Sequence, residues 1–113
     1  MDWYRKELRS VASGLLERWQ KTIGAQVNAC GIKRMKTRWG TCNQKAGRIW
    51  LNLELAKKSE HCLDFIIAHE MTHLLERNHN DRFKAHLDAF IPQWRQYKEE
   101  LNHSVLNYEN WLY

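Results

Sequence analysis

Ser59-Glu60-His61-Cys62-Leu63-Asp64-Phe65-Ile66-Ile67-Ala68-His69-Glu70-Met71-Thr72-His73 is the stretch on which the reading of the whole chain turns. Ser59-Glu60 marks a helix start, and Asp64 in the next turn suits the positive end of the helix dipole. From Cys62 to Ala68 the run is apolar almost all round, which predicts a buried central helix. His69 and His73, four residues apart, fall on one helix face about one turn apart, roughly 6 Å along the axis. Their imidazoles can therefore converge on one metal ion. Glu70 follows the first histidine directly, beside such an ion without having to bind it. Two histidines and a carboxylate inside a buried helix need partners, because unpaired burial of polar groups costs free energy. A metal supplies one, and an adjacent carboxylate can take a proton from a water that the metal activates.

A catalytic zinc usually takes three protein ligands and keeps one position open. Leu74-Leu75-Glu76-Arg77 finishes the helix in this reading, and Asn78 suits a left-handed exit that swings His79 back towards the metal. His79 stands ten residues after His69, the spacing of the metzincin pattern, although that pattern has glycine where this chain has Glu76. Glu76, three residues after His73 on the same face, and His86, on the next helix, are the rival third ligands.

With 113 residues the chain supports one domain, 1–113, with one core. Its aromatic and apolar content is that of a globular protein. No apolar run approaches the roughly 20 residues that span a bilayer, and the N-terminus has no apolar signal segment. Three cysteines, Cys30, Cys42 and Cys62, form no C-x-x-C pair. They fit a reduced, cytoplasmic setting and argue against a cysteine zinc site. The net charge of +5 gathers at Arg5, Lys6, Arg9 and at Lys33, Arg34, Lys36, Arg38. It reads either as solvated faces or as a surface for nucleic acid, with no nucleic-acid motif beside it.

Outward from the central helix, residues 3 to 22 read as an amphipathic helix with Tyr4, Leu8, Val11, Leu15 and Trp19 inward and Gly24 past its end. Between 26 and 55 the period shortens. Val27, Ala29 and Ile32 alternate with polar neighbours, and Met35 to Arg38 carries on extended. Arg48 to Leu53 is a second strand-like run, and Trp39 to Gly47 reads as the turn region between, its hairpin tip near 43–47. Helix-forming Glu54 to Lys58 leads into the main helix. Beyond His79, Asn80-Asp81 caps a helix over 81–90 carrying Phe83, Leu87 and Phe90. Pro92 opens a further helix to about 102, with Trp94, Tyr97 and Leu101 inward. The tail adds Val105, Leu106, Tyr108, Trp111 and Leu112, which pack back or meet another chain. The expected class is α+β: an N-terminal helix, a small antiparallel sheet of two to three strands, a central active-site helix carrying His-Glu-x-x-His, and C-terminal helices.

Lys36-Thr37-Arg38-Trp39-Gly40-Thr41-Cys42, Gly47-Arg48-Ile49-Trp50-Leu51-Asn52, His69-Glu70-Met71-Thr72-His73, Asn78-His79-Asn80 with Phe83, and Ile91-Pro92-Gln93-Trp94 together resemble the YgjP-like metallopeptidase domain, a relative of the SprT-like and other small zincin domains. The likeness covers roughly residues 4 to 101. Members of that family often carry an additional N-terminal β-rich segment, and a short member without it is expected here. The resemblance implies a minimal zincin-like or gluzincin-like core and a zinc-dependent hydrolase holding one Zn²⁺. Its ligands fall on His69, His73 and His79, and its catalytic carboxylate on Glu70. The expected partner is a protein or peptide substrate, paired by β-addition with the Gly47 to Leu53 strand. Arg38 and Asn52 read either as substrate contacts or, with Trp39 as a core anchor and Gly40 as a bend, as parts of the packing. Arg82, His86 and Tyr97 are the candidates for holding an oxyanion. Two rival functions stand beside peptide hydrolysis: a DNA-associated, SprT-like protein, and a zinc-bearing scaffold with little turnover.

Overall fold

The computed structural model describes residues 2–102. The elements are α1 (Asp2–Ile23), β1 (Ala29–Lys33), β2 (Gly40–Asn43), β3 (Arg48–Asn52), a 3₁₀ helix (Leu53–Lys57), α2 (Glu60–Thr72), α3 (Asp81–Phe90) and α4 (Trp94–Asn102). The class is α+β, as expected.

The apolar run does form the central helix. Cys62, Phe65, Ile66, Ile67, Ala68 and Met71 of α2 are completely buried, because the helix meets α1, α3, α4 and the sheet on its several sides. α1 lays Leu8, Ala12, Leu15, Trp19 and Ile23 on the core, with Tyr4 and Val11 at the margin. Trp19 Nε1 donates to Asp64 Oδ1 at 2.6 Å, and Arg18 lies 3.3 Å from the same carboxylate. Asp64 thus fixes α1 on α2. Gly24 closes α1 with φ 79°, a left-handed exit that a residue lacking Cβ adopts at low cost.

The sheet differs from the antiparallel one expected. Its order is β1-β3-β2: β3 runs parallel to β1 and antiparallel to β2. The second strand is Gly40–Asn43, inside what read as a turn region, and Met35 to Arg38 forms no strand. Strand alternation has the same period of two for either direction, so it left the direction open. What decides it is the loop 34–39, which carries the chain from one side of β3 to the other. Asn52, at the end of β3, holds that loop. Its Nδ2 donates to the carbonyls of Met35 at 2.9 Å and Arg38 at 2.8 Å. Its Oδ1 accepts from Glu54 N at 3.0 Å, capping the 3₁₀ helix, and its own N–H donates to Trp39 O at 2.9 Å. Asn52 is completely buried, as is Trp39 to within 1%. With its side chain enclosed and its amide engaged by these backbone groups, Asn52 clamps the crossing loop, which is the packing alternative of the two readings the sequence left open. Asn52→Ala keeps the backbone bond to Trp39 but strands the Met35 and Arg38 carbonyls and the Glu54 N–H. It should destabilise the fold by about 2 to 3 kcal/mol, read as a lower midpoint in urea.

α2 ends at Thr72, before the Leu74 to Arg77 stretch expected to finish it. Leu74 N and Leu75 N bond back three residues, to the Met71 and Thr72 carbonyls, tightening the last turn. Nor does Asn78 exit left-handed: among the described residues no non-glycine has positive φ. His73 does that work instead, since its Nδ1 lies 3.3 Å from Glu76 O and 3.1 Å from Arg77 O, closing the turn on a side chain. Asn80 then caps α3, its Oδ1 accepting from Phe83 N at 3.0 Å. Phe83 and Leu87 of α3, and Trp94 and Leu101 of α4, complete the core as read. Val105, Leu106, Tyr108, Trp111 and Leu112 lie outside the described residues.

Candidate metal centre

The turn held by His73 brings His79 onto the last turn of α2. His69, His73 and His79 each offer a ligand atom, and these atoms lie within 4.8 Å of one another. The nitrogens of a tetrahedral zinc site, with Zn–N of about 2.0–2.1 Å, stand about 3.3 Å apart, so the cluster has the size and the donor set for a borderline divalent ion. His73 Nε2 and His79 Nε2 are 2.8 Å apart. Because the two carbonyls engage His73 Nδ1 as a donor, its Nε2 is left as the lone-pair face, the tautomer a metal requires.

One aromatic ring supports all three imidazoles. Phe83 sits 5.0 Å from the His69 ring, 4.5 Å from His73 and 4.9 Å from His79, centroid to centroid. In the sequence Phe83 reads as a core residue of α3 and as part of the family pattern around His79; neither shows what its ring faces.

Glu70 is buried beside the histidines, with Oε2 3.1 Å from His69 Nδ1. Burial pushes its carboxyl up to about 7, and His73, His79 and Arg38 pull it back in part. Burial also holds His69 and His73 below the ordinary imidazole range and His79 down to about 4. All three rings are therefore neutral donors near pH 7, and a nearby dication would draw Glu70 towards the ionised form.

The cluster opens into a cleft of about 400 Å³ that is also lined by Arg38, Gly40, Thr41 and Cys42 and by Arg77 and Asn78. The Cys42 thiol, pushed up to about 12 first by burial and then by Glu70, stays protonated and weakly reactive. A Cβ on Gly40 would stand 3.0 Å from Ile66 Cγ2 and 3.1 Å from Glu70 Cγ. Since α1 backs α2 from the other side, the helix has nowhere to retreat. Gly40→Ala should cost about 1 to 3 kcal/mol of stability, measured by thermal denaturation, through overpacking against Glu70.

Other residues singled out in the sequence stand apart. Glu76 spends both oxygens elsewhere, accepting from Asn80 Nδ2 at 3.0 Å and pairing with Arg82 Nε at 3.1 Å. His86 stacks on Phe90, centroids 5.8 Å apart, and belongs to no ligand cluster among the described residues. Tyr97 stacks on His61 at 4.7 Å and does not line the cleft. Of the basic residues, Arg5 donates to the Ile32 carbonyl, Arg34 lies 3.8 Å from Glu54, and Lys33 stands 4.5 Å over the Trp50 ring.

A helix-borne histidine cluster beneath the edge strand of a small α+β fold defines the zincin-like class of metallopeptidase folds. More narrowly, the chain belongs to the YgjP-like metallopeptidase domain family, whose profile matches residues 1–104. Two solved structures share the fold. One is the metallopeptidase zymogen abylysin of Pyrococcus abyssi, with TM-score 0.77 and 19% identity, covering 87% of this chain and 98% of that one. The other is the zymogen jannalysin of Methanocaldococcus jannaschii, with TM-score 0.63 and 21% identity, covering 83% and 92%. No curated protein matches by sequence. Among the described residues no helix is long and apolar enough to cross a membrane.

Proposed function

We propose that this chain is a zinc-dependent peptidase in which His69, His73 and His79 hold one ion and Glu70 is the general base. The observation that carries the reading is the meeting of three neutral imidazoles and one buried carboxyl at the floor of an open cleft. Zinc, when bound, polarises the scissile carbonyl and acidifies water. The protein supplies the rest. Glu70 accepts the proton of the attacking water and returns it to the leaving nitrogen. The His73 turn and the Phe83 ring fix the imidazoles, so little reorganisation is needed.

The strand proposed here to take substrate differs from the one the sequence suggests. β3 is paired on both edges, with β1 and with β2, and has no free backbone edge to offer. Of the two edge strands, β1 and β2, it is β2 whose Gly40, Thr41 and Cys42 line the cleft. An extended peptide would add to β2. Arg38, exposed at the same cleft, stands ready to donate to its carbonyls.

The test is cleavage of a mixed peptide library by the full chain. Cleavage that stops with a chelator and returns with zinc supports the reading; cleavage indifferent to both overturns it.

A further inference from the structure

Eight residues before His69, about 12 Å down the same helix, a second group of donors converges. His61 and Cys62 in the first turn of α2 face Glu100 of α4. The three offer ligand atoms within 4.8 Å of one another. His61 Nε2 lies 3.1 and 3.0 Å from the two Glu100 oxygens, and Cys62 Sγ lies 2.7 Å from Glu100 Oε2. Ser59, at the N-cap position, does not use its hydroxyl to cap the helix. That hydroxyl turns into the same knot, 2.9 Å from His61 Nε2, 3.2 Å from Glu100 Oε2 and 3.5 Å from Cys62 Sγ.

We propose that His61, Cys62 and Glu100 form a second metal site, for zinc or another borderline divalent ion, with the Ser59 hydroxyl or a water in the fourth position. The donor set is sulfur, nitrogen and oxygen, which suits such ions better than calcium or magnesium. The thiol is completely buried while the histidine and carboxylate are about half exposed, so the site has a fixed back wall and an open front. Tyr97 stacks on the His61 ring, centroids 4.7 Å apart, and holds its plane. The positive end of the α2 dipole opposes a cation there, and two anionic ligands, a thiolate and a carboxylate, offset it. At present the thiol keeps its proton: burial, then the hydrogen bond to Glu100, pushes it up to about 11. The ion takes that proton's place, and the proton leaves to solvent. Bound metal would tie α4 across the start of α2, independently of the histidine cluster and of any peptidase activity.

Cobalt(II) is the probe, added to the full chain after treatment with chelator. A thiolate ligand gives cobalt an intense near-ultraviolet charge-transfer band, which an all-imidazole site lacks. The band is expected in the parent, in His73→Ala and in Cys42→Ser, the last because Cys42 lines the other cleft. It should vanish in Cys62→Ser and in Glu100→Gln. The second of these changes a half-exposed residue and serves if loss of the buried thiol prevents folding. Absence of the band in the parent, or its survival in a folded Cys62→Ser or Glu100→Gln protein, would overturn the site. The number of cobalt ions bound bears on the histidine cluster; the band alone bears on this one.

Discussion

Glu70→Gln should lower peptide cleavage about a thousandfold and leave the zinc content as it was. General-base assistance is worth about 10²- to 10⁴-fold, and glutamine cannot accept the proton. Its shape is nearly that of glutamate, so the packing against Ile66 and Gly40 is kept, and its amide can still meet His69 Nδ1, now 3.1 Å from Oε2. The carboxyl is 3% exposed, so water cannot easily stand in for it. Burial pushes it up to about 7 without metal, and a neighbouring dication lowers it again, leaving a base matched to neutral pH. Parallel measurement of zinc by elemental analysis separates the roles. Full activity in the variant would defeat Glu70 as base, whereas loss of zinc with activity would make it a ligand.

The parts of this site that were legible in the sequence are those that local chain geometry fixes. His69, Glu70 and His73 lie within two turns of one helix, and helical periodicity alone puts them together. Asn80, as cap of α3, needed only its neighbours. His79 was reached by spacing, but through the wrong turn. The expected left-handed Asn78 is absent, and the His73 ring closes the turn by bonding to the Glu76 and Arg77 carbonyls. A ring that closes its own helix's last turn, besides being a candidate ligand, leaves no separate mark in the sequence.

Contacts between distant segments were not legible. Asn52 reads in the sequence either as a substrate contact or as part of the packing, because a polar side chain in an apolar strand invites both readings. Its real partners, Met35 and Arg38, appear only when the loop 34–39 is known to cross β3. The same crossing makes β3 central and leaves β1 and β2 as the edges, which is why the proposed substrate strand is β2 and not β3. Cys62 and Glu100 lie 38 residues apart, and no pattern joins them. The absence of a C-x-x-C pair speaks only to cysteines close in sequence, not to donors that two helices bring together.

His79→Ala should weaken zinc binding by about two to three orders of magnitude, while Glu76→Ala and His86→Ala bind nearly as the parent does. Zinc sites in small domains are worth about 10 to 16 kcal/mol over some four ligands, or about 2.5 to 4 kcal/mol each, and 1.4 kcal/mol is a factor of ten. His79 earns that share by position: its Nε2 stands 2.8 Å from His73 Nε2, and its ring rests on Phe83. Glu76 is committed to Asn80 and Arg82, and His86 to Phe90. Losing Glu76 would loosen the turn that presents His79, so a several-fold effect on affinity is consistent with support from outside the site. The comparison is made by competition with a chromophoric chelator on folded protein, monitored by circular dichroism. Because bound zinc stabilises the folded state by mass action, the rise in melting temperature on adding zinc should shrink in His79→Ala and persist in the other two. If His79→Ala binds as tightly as the parent, the third ligand is not His79.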